Sequence, residues 1–224
     1  LVEFKTTPLY GWGRFLKRAF DIVFSAIVLV VLSPGLLLIG LAVRIDSPGP
    51  VFYLHRRLGF NGKVFKVFKF RTMKLEYCRG RGYGGASAER KYKEMMREAK
   101  YREEFTASFK VKDDPRVTRV GRFLRRTSLD ELPQFINVWL GSLSLVGPRP
   151  VIREEVERYN GAEYLLWSVR PGLSGLWQVS GRSELTYEER VKLDLYYIEN
   201  WSPWMDFIVL TKTIIQIFVG RGAY

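Results

Sequence analysis

The chain has 224 residues, with 36 Lys plus Arg against 23 Asp plus Glu and a formal net charge of +13. Hydrophobic residues at 47% and aromatics at 15% exclude an intrinsically disordered chain. A single cysteine, Cys78, excludes a disulfide framework and any multi-cysteine metal site; a single histidine, His55, argues against a Ser-His-Asp triad or a histidine-rich metal centre. Carboxylates are left to carry acid, base, nucleophile or metal-binding roles. The positive excess calls for an anionic partner: nucleic acid, an acidic membrane face or a phosphorylated substrate. The chain begins with Leu1, so a preceding N-terminal part of a longer protein is expected.

Residues 1–18 read as a lead-in. From Ile22 to Val43 no residue is charged, and a helix of that length would cover about 33 Å, enough for a hydrocarbon core of roughly 30 Å. Ser33-Pro34-Gly35 falls in its middle, where proline removes a backbone donor and disfavours helix at the residue before it. The two pieces, Ile22–Leu32 and Leu36–Val43, would measure about 16 Å and 12 Å, and neither spans alone. Lys17 and Arg18 precede the segment; Arg44, Arg56, Arg57 and Lys63 follow it. A spanning helix is usually basic on its cytoplasmic side only. The expectation over 19–45 is therefore a re-entrant helix–break–helix with both ends on the cytoplasmic side, Ser33 serving backbone groups freed at Pro34. A kinked spanning helix and a buried core hairpin are the alternatives.

Asp46–Pro50 reads as a loop, and Val51–Arg57 with Val64–Phe70 around Asn61-Gly62 predicts a β-hairpin. Residues 79–87 are glycine-rich but match neither a Walker A nor a dinucleotide fingerprint. A charged helix is predicted over Ala88–Phe105, and residues 75–110 together form a candidate mobile insertion. Asp114-Pro115 reads as the start of the next helix, with Arg116, Arg119, Arg122 and Arg126 on one stripe and Val117, Val120 and Leu124 on the other. Thr186-x-x-Glu189 is a capping box for a helix to about Glu199. Ser202-Pro203 opens the last helix, over 203–219, whose Trp204, Phe207, Ile208, Ile214, Ile215, Ile217 and Phe218 suit a membrane interface or, equally, a core. The fold class is mainly α with a small β-hairpin: a monotopic membrane protein with interfacial amphipathic helices, and a domain over 46–224 outside the membrane.

The stretch richest in chemistry is Arg125 to Gln134. Asp130 and Glu131 precede a predicted helix opened by Pro133 and closed by Gly141. The helix dipole and the neighbouring arginines favour ionised carboxylates there, able to act as a nucleophile or to grip Mg²⁺. Ser128-x-x-Glu131 also reads as a capping box, and on spacing alone the cap is the stronger reading. Pro148-Arg149-Pro150 holds one arginine between two stiff residues, which suits a phosphate clamp. Arg170–Gly175 resembles a turn-rich segment presenting backbone amides. Trp177–Arg182 adds a stacking surface, the Gln178 amide and the Arg182 guanidinium. Beside a membrane segment, these loops around an acidic pair suggest transfer of a phosphorylated group to a lipid. The rivals are a membrane-anchored module binding nucleic acid or lipid headgroups through charge alone, and a scaffold in which the acidic pair is only a cap.

Six motifs occur in order: KRAFDIV (17–23) leading to Ser33-Pro34, SPGPVFY (47–53), KVFKFRTM (66–73), DDPRVTRVGRFLRRTSLDELPQ (113–134), SLVGPRP (144–150) and RPGLSGLWQVSGR (170–182). Together they make the sequence resemble the bacterial sugar transferase family, the monotopic phosphoglycosyl transferases, and in particular the catalytic part of its large subfamily. The resemblance implies transfer of a sugar 1-phosphate from a UDP-sugar to polyprenol (undecaprenyl) phosphate with release of UMP, the first membrane step of bacterial surface polysaccharide synthesis. It implies Asp130 as the nucleophile of a two-step displacement through a covalent aspartyl intermediate. Mg²⁺ would sit at Asp130, and Glu131 would orient the metal or handle the acceptor's proton. Arg125, Arg149, Arg71, Gln178 and Arg182 are the implied phosphate or substrate contacts. The implied location is the bacterial inner membrane with the catalytic domain, 46–224, on the cytoplasmic face. Membrane lipid and a second copy of the chain are the expected partners, and nucleic acid is not.

Overall fold

The computed structural model describes residues 6–80, 82–108, 111, 114–181 and 184–219. The chain is mainly helical with small sheets. It divides into two units. The first comprises the residues up to Pro34, Leu54–Phe68 and those from Pro133 on; the second comprises Gly35–Tyr53 and Lys69–Leu132.

Helix α1 (Gly11–Asp46) is helical through Pro34, so the expected break is not an interruption of the helix. The physical reason lies one residue earlier. Pro34 has no N–H to offer the Val30 carbonyl, and the Ser33 hydroxyl donates to that oxygen at 2.8 Å, replacing the donor that proline removes. A stretch of α1 has a mean hydropathy of 2.8 and is only 6% buried by the protein. It is therefore long and apolar enough to cross a membrane, and it is no core helix. Val23, Ile27, Val30, Val31, Leu37, Leu38 and Leu41 all stand exposed.

In the first unit, α1 is fastened by polar anchors at its start. Asp206 accepts from Lys17, from the Tyr197 hydroxyl at 2.7 Å and from the Trp201 indole at 3.2 Å. Asp21 accepts from the Leu145 N–H at 3.0 Å. Strands β1 (Phe52–Leu58) and β2 (Val64–Phe70) form the predicted hairpin, with Asn61 (φ 56) and Gly62 (φ 66) supplying the left-handed turn. Helix α5 (Gln134–Leu140) ends at Gly141, φ 90, as its sequence requires.

A second sheet was not foreseen. Strand β3 (Ser144–Val146) pairs in parallel with β4 (Gly172–Ser174), Ser144 opposite Gly172 and Val146 opposite Ser174. Each is too short to show an alternating pattern, and the glycines and prolines around them read as turns. The glycines are there for close approach: a Cβ on Gly172 would lie 2.1 Å from the Gly147 nitrogen.

Helices α6 (Arg153–Val156), α7 (Glu163–Ser168), α8 (Leu176–Ser180), α9 (Tyr187–Glu199) and α10 (Pro203–Val219) complete the unit around a core that includes Val138, Leu143, Val146, Tyr197, Ile198 and Val209. The Thr186 capping box of α9 forms as expected, Thr186 N–H to Glu189 at 2.7 Å and Glu189 N–H to Thr186 at 3.3 Å. Helix α10 answers both readings of its sequence. Val209 is buried, while Trp204, Phe207, Ile214, Ile215 and Ile217 are exposed; the side chain of Phe218 lies outside the described residues.

The second unit has its own small cluster, with Val43, Phe70 and Leu124 buried and Leu36, Ile39, Val51, Val120 and Leu129 against them. The charged segment forms α2 (Gly85–Met95) and α3 (Ala99–Ser108) in place of one helix. Helix α4 (Arg119–Thr127) starts later than Asp114-Pro115 suggests, and Thr118 is its cap, accepting from the Gly121 N–H at 2.9 Å. After a turn over 114–117, the chain at 116–118 pairs with 72–74 and so stays out of the helix. Val117 bridges Met73, Lys74 N–H donates to the Arg116 carbonyl, and Thr118 N–H donates to the Thr72 carbonyl. Asp114 grips the Arg116 guanidinium at 2.7 and 2.6 Å. Arg116 is thereby 8% exposed and leaves the expected cationic stripe.

Candidate active site

Asp130 and Glu131 lie on a single 3-10 turn, Leu129–Glu131. Ser128, just before it, adopts a left-handed conformation (φ 56, ψ 16), uncommon for serine, and its side chain makes no capping bond. Its backbone alone takes part, the N–H donating to the Arg125 carbonyl at 3.3 Å and the carbonyl accepting from the Glu131 N–H at 3.2 Å. The capping box that competed with a chemical role for this pair is therefore absent. Glu131 points to a different partner: its Oε1 accepts from Lys69 Nζ at 2.5 Å.

Asp130 has a half-buried surface, but the protein packed around its carboxylate makes desolvation the largest influence on its charge. Its pKa is pushed up to about 6, with the Glu131 charge adding to the rise while Lys69 and Arg125 oppose it. The arginine-rich sequence predicted the reverse balance. Burial wins because no opposite charge forms an ion pair with Asp130 among the described residues.

Arg125 is positioned by Thr72, whose hydroxyl accepts from its Nε at 2.9 Å. Burial lowers the Arg125 pKa, and Asp114 and Asp130 counter that fall. Gly121 makes the arrangement sterically attainable: a Cβ there would meet the Thr72 carbonyl oxygen at 2.1 Å, so only glycine lets α4 approach so closely.

Arg71 is turned inward at 2% exposure. Its Nε donates to the Pro50 carbonyl at 2.7 Å, Nη1 to the Ser47 hydroxyl at 2.7 Å, and Nη2 to the Ser47 carbonyl. The SPGP loop is thus a clasp around this guanidinium.

Arg149 and Gln178 belong to the first unit. Arg149 follows β3, half-buried, with its guanidinium carbon 5.6 Å from the centroid of the Trp177 ring on α8. Arg190 on α9 lies 5.0 Å from the same ring. Beneath them Asp194, buried, accepts from the Tyr159 hydroxyl at 3.1 Å. Burial pushes Asp194 up to about 8, against the Tyr159 hydrogen bond, the Arg149 N–H and charge, and the Trp177 indole. Gln178 is half-buried on α8, and Arg182 lies outside the described residues.

Residues 12–220 match the family described as bacterial sugar transferase. The chain belongs to that family. It is 44% identical over 214 residues to the undecaprenyl-phosphate galactose phosphotransferase of Salmonella typhimurium, covering 95% of this chain and 42% of that protein. It is 43% identical over 214 residues to the exopolysaccharide production protein ExoY of Sinorhizobium fredii, covering 95% of this chain and 89% of that one. With the UDP-glucose:undecaprenyl-phosphate glucose-1-phosphate transferase of Escherichia coli the identity is 43% over 232 residues, covering 100% of this chain and 45% of that protein. The chain thus spans less than half the length of the Salmonella and Escherichia relatives. The family match takes in Asp130, Glu131, Arg125 and Arg149 alike.

Among the described residues no three His, Cys, Asp or Glu side chains gather as a metal cage. Mg²⁺ does not need one, because it is commonly held by one or two carboxylates while substrate phosphates and water fill the remaining positions. Asp130, half-buried and with no ion-pair partner among the described residues, fits such a cation. Three residues of these sites were not singled out in the sequence: Lys69, Arg190 and Asp194. Asp194 did leave a signal. It falls with Val191, Tyr197 and Ile198 on the buried stripe of α9, where a carboxylate is out of place unless it has a task.

Proposed function

We propose that the chain is the catalytic part of a transferase that moves a sugar 1-phosphate from a UDP-sugar to undecaprenyl phosphate and releases UMP. The relatives named for galactose and glucose transfer make these two hexoses the first donors to test. The observation that carries the reading is Asp130: a carboxylate raised by burial, beside Arg125 and a Lys69–Glu131 pair, with no helix cap to explain it.

In this account an Asp130 oxygen attacks the β-phosphorus of the donor. The bond from that phosphorus to the bridging oxygen breaks, and UMP leaves with the bridging oxygen. A phosphate oxygen of undecaprenyl phosphate then attacks the same phosphorus and displaces Asp130, giving the diphosphate-linked lipid and restoring the carboxylate. Lys69 neutralises Glu131 so that its charge does not further raise Asp130, and Arg125, held by Thr72, offsets the anionic diphosphate. Mg²⁺ held by Asp130 would lower the repulsion between carboxylate and diphosphate. Arg71 keeps the 47–50 loop in place, while Arg149, Gln178 and Arg182 serve as substrate contacts.

A polyprenyl tail stays in the bilayer and a nucleotide sugar stays in water, so the reaction belongs at the membrane surface. The reading keeps both basic flanks of α1 on the cytoplasmic face, which requires α1, helical through Pro34 here, to bend at that proline within one leaflet of the membrane. The Trp204 and Phe207 rings, stacked at 5.2 Å, lie at the headgroup level. The test is product analysis with UDP-galactose and UDP-glucose in the presence of undecaprenyl phosphate and Mg²⁺. UMP from the wild type and none from Asp130→Asn supports the proposal; UDP as product would mean direct glycosyl transfer and overturn it.

A further inference from the structure

Arg149 and Arg190 come from separate elements, yet their guanidinium carbons lie 5.6 and 5.0 Å from the centroid of one indole, Trp177. Like charges brought to one buried ring repel. The Arg190 pKa is held below its ordinary value by burial first and by Arg149 second. Among the described residues no carboxylate forms an ion pair with either arginine. Glu155, on α6, acts on Arg190 only at a distance, as a smaller influence opposing burial and Arg149, because its carboxylate is bonded by Arg57 at 3.2 Å and by the Ile152 N–H at 2.8 Å. Asp194 is held toward its protonated form by burial and so supplies little compensating charge. Arg190 Nε is buried and has no hydrogen-bond partner. Pro148 and Pro150 stiffen the chain on both sides of Arg149, so the pair does not relax apart at its backbone.

From this juxtaposition we propose that Arg149 and Arg190 form one binding site for a doubly charged phosphate group, with Trp177 as the surface on which both guanidinium groups rest. A dianion would cancel the repulsion and give the Arg190 Nε–H its acceptor, a geometry to which guanidinium groups are well suited. Arg190 thereby becomes a substrate-binding residue, as the partner of Arg149. The inference rests on the transferase reading for its ligand class. Several phosphates of that reaction share this chemistry, among them the diphosphate of the nucleotide donor and the monoester of the lipid acceptor.

The test uses the full chain in detergent, with UDP as the nucleotide probe and farnesyl phosphate as a short lipid monoester, each titrated calorimetrically. In Arg190→Gln the dissociation constant of one probe is expected to rise tenfold or more, matching Arg149→Gln; the probe affected identifies the source. An independent measurement needs no variant: phenylglyoxal labelling of the wild type, read by peptide mass, should be slowed at both Arg149 and Arg190 by the same probe. A folded Arg190→Gln that binds both probes within twofold of wild type, or Arg190 labelling unchanged by either probe, overturns the proposal. UMP release separates this inference from the reading beneath it. Wild type that turns over with Arg190 unprotected sinks the paired site alone, whereas protection of both arginines without UMP release sinks the transferase reading alone.

Discussion

Lys69 Nζ and Glu131 Oε1 stand 2.5 Å apart, and this contact divides the acidic pair into unequal members. Glu131 has a cation at its carboxylate. Asp130 is left with burial as the main influence on its charge, which raises its pKa to about 6. The two neighbours in sequence thus differ in chemistry, and the difference is set by a lysine on the hairpin.

Removing that lysine should shift the reaction's pH dependence. Lys69 lowers the Asp130 pKa, and the Glu131 charge raises it. Lys69→Met loses the first influence and unmasks the second, so the acidic limb of kcat/KM moves to higher pH. Activity at pH 6 should fall more than activity at pH 8, and Lys69→Arg should restore most of it. An unshifted limb in Lys69→Met would show that the lysine does not govern Asp130.

Asp194 predicts a stability profile. Its pKa is pushed up to about 8 in the fold, whereas an unfolded aspartate titrates near pH ~4. Between those values the folded chain keeps a proton that the unfolded chain has released. Stability therefore falls as pH rises from about 4 to about 8 and levels off above. Asp194→Asn should flatten that slope, which thermal melts at pH 5 and pH 8 would read directly.

Arg71 separates scaffold from contact. With its donors committed to Ser47 and Pro50, Arg71→Gln should cost about 3 kcal/mol in stability, as lost bonds from a buried charged donor do. The folded fraction should show a near-normal KM for the donor. A melting temperature equal to wild type with a tenfold higher KM would instead return Arg71 to the phosphate contacts.

Gly121→Ala tests the seat of Arg125. The added Cβ would lie 2.1 Å from the Thr72 carbonyl oxygen, and such overpacking typically costs about 1–3 kcal/mol. Because α4 must move away from Thr72, the Arg125–Thr72 bond should weaken too, with kcat falling along with the melting temperature.

Local rules in the sequence carry far here, and long-range pairing does not. The Asn61-Gly62 turn, the Thr186 capping box and the Gly141 helix stop each depend on a few neighbouring residues, and each forms where the sequence places it. The start of α4 is misplaced because the chain at Val117, besides turning on Asp114, pairs with Met73 far away in sequence. The β3–β4 pair joins strands distant in sequence and too short to leave a pattern. Pro34 reads as a break until the Ser33 hydroxyl is seen at the Val30 carbonyl. At the candidate site, Asp130, Glu131 and Arg125 were singled out by motif and by family resemblance, whereas Lys69 and Arg190 draw notice only through what the fold brings to them.

The most direct measurement of the central claim is the mass of the protein itself. Incubated with a UDP-hexose accepted as donor and Mg²⁺ but without undecaprenyl phosphate, the chain should gain one hexose phosphate on the peptide containing Asp130, and lose it when the lipid is added. Asp130→Asn should gain nothing. UMP release at wild-type rates without any adduct on that peptide, or an adduct that persists in Asp130→Asn, would contradict the assignment of Asp130 as the nucleophile.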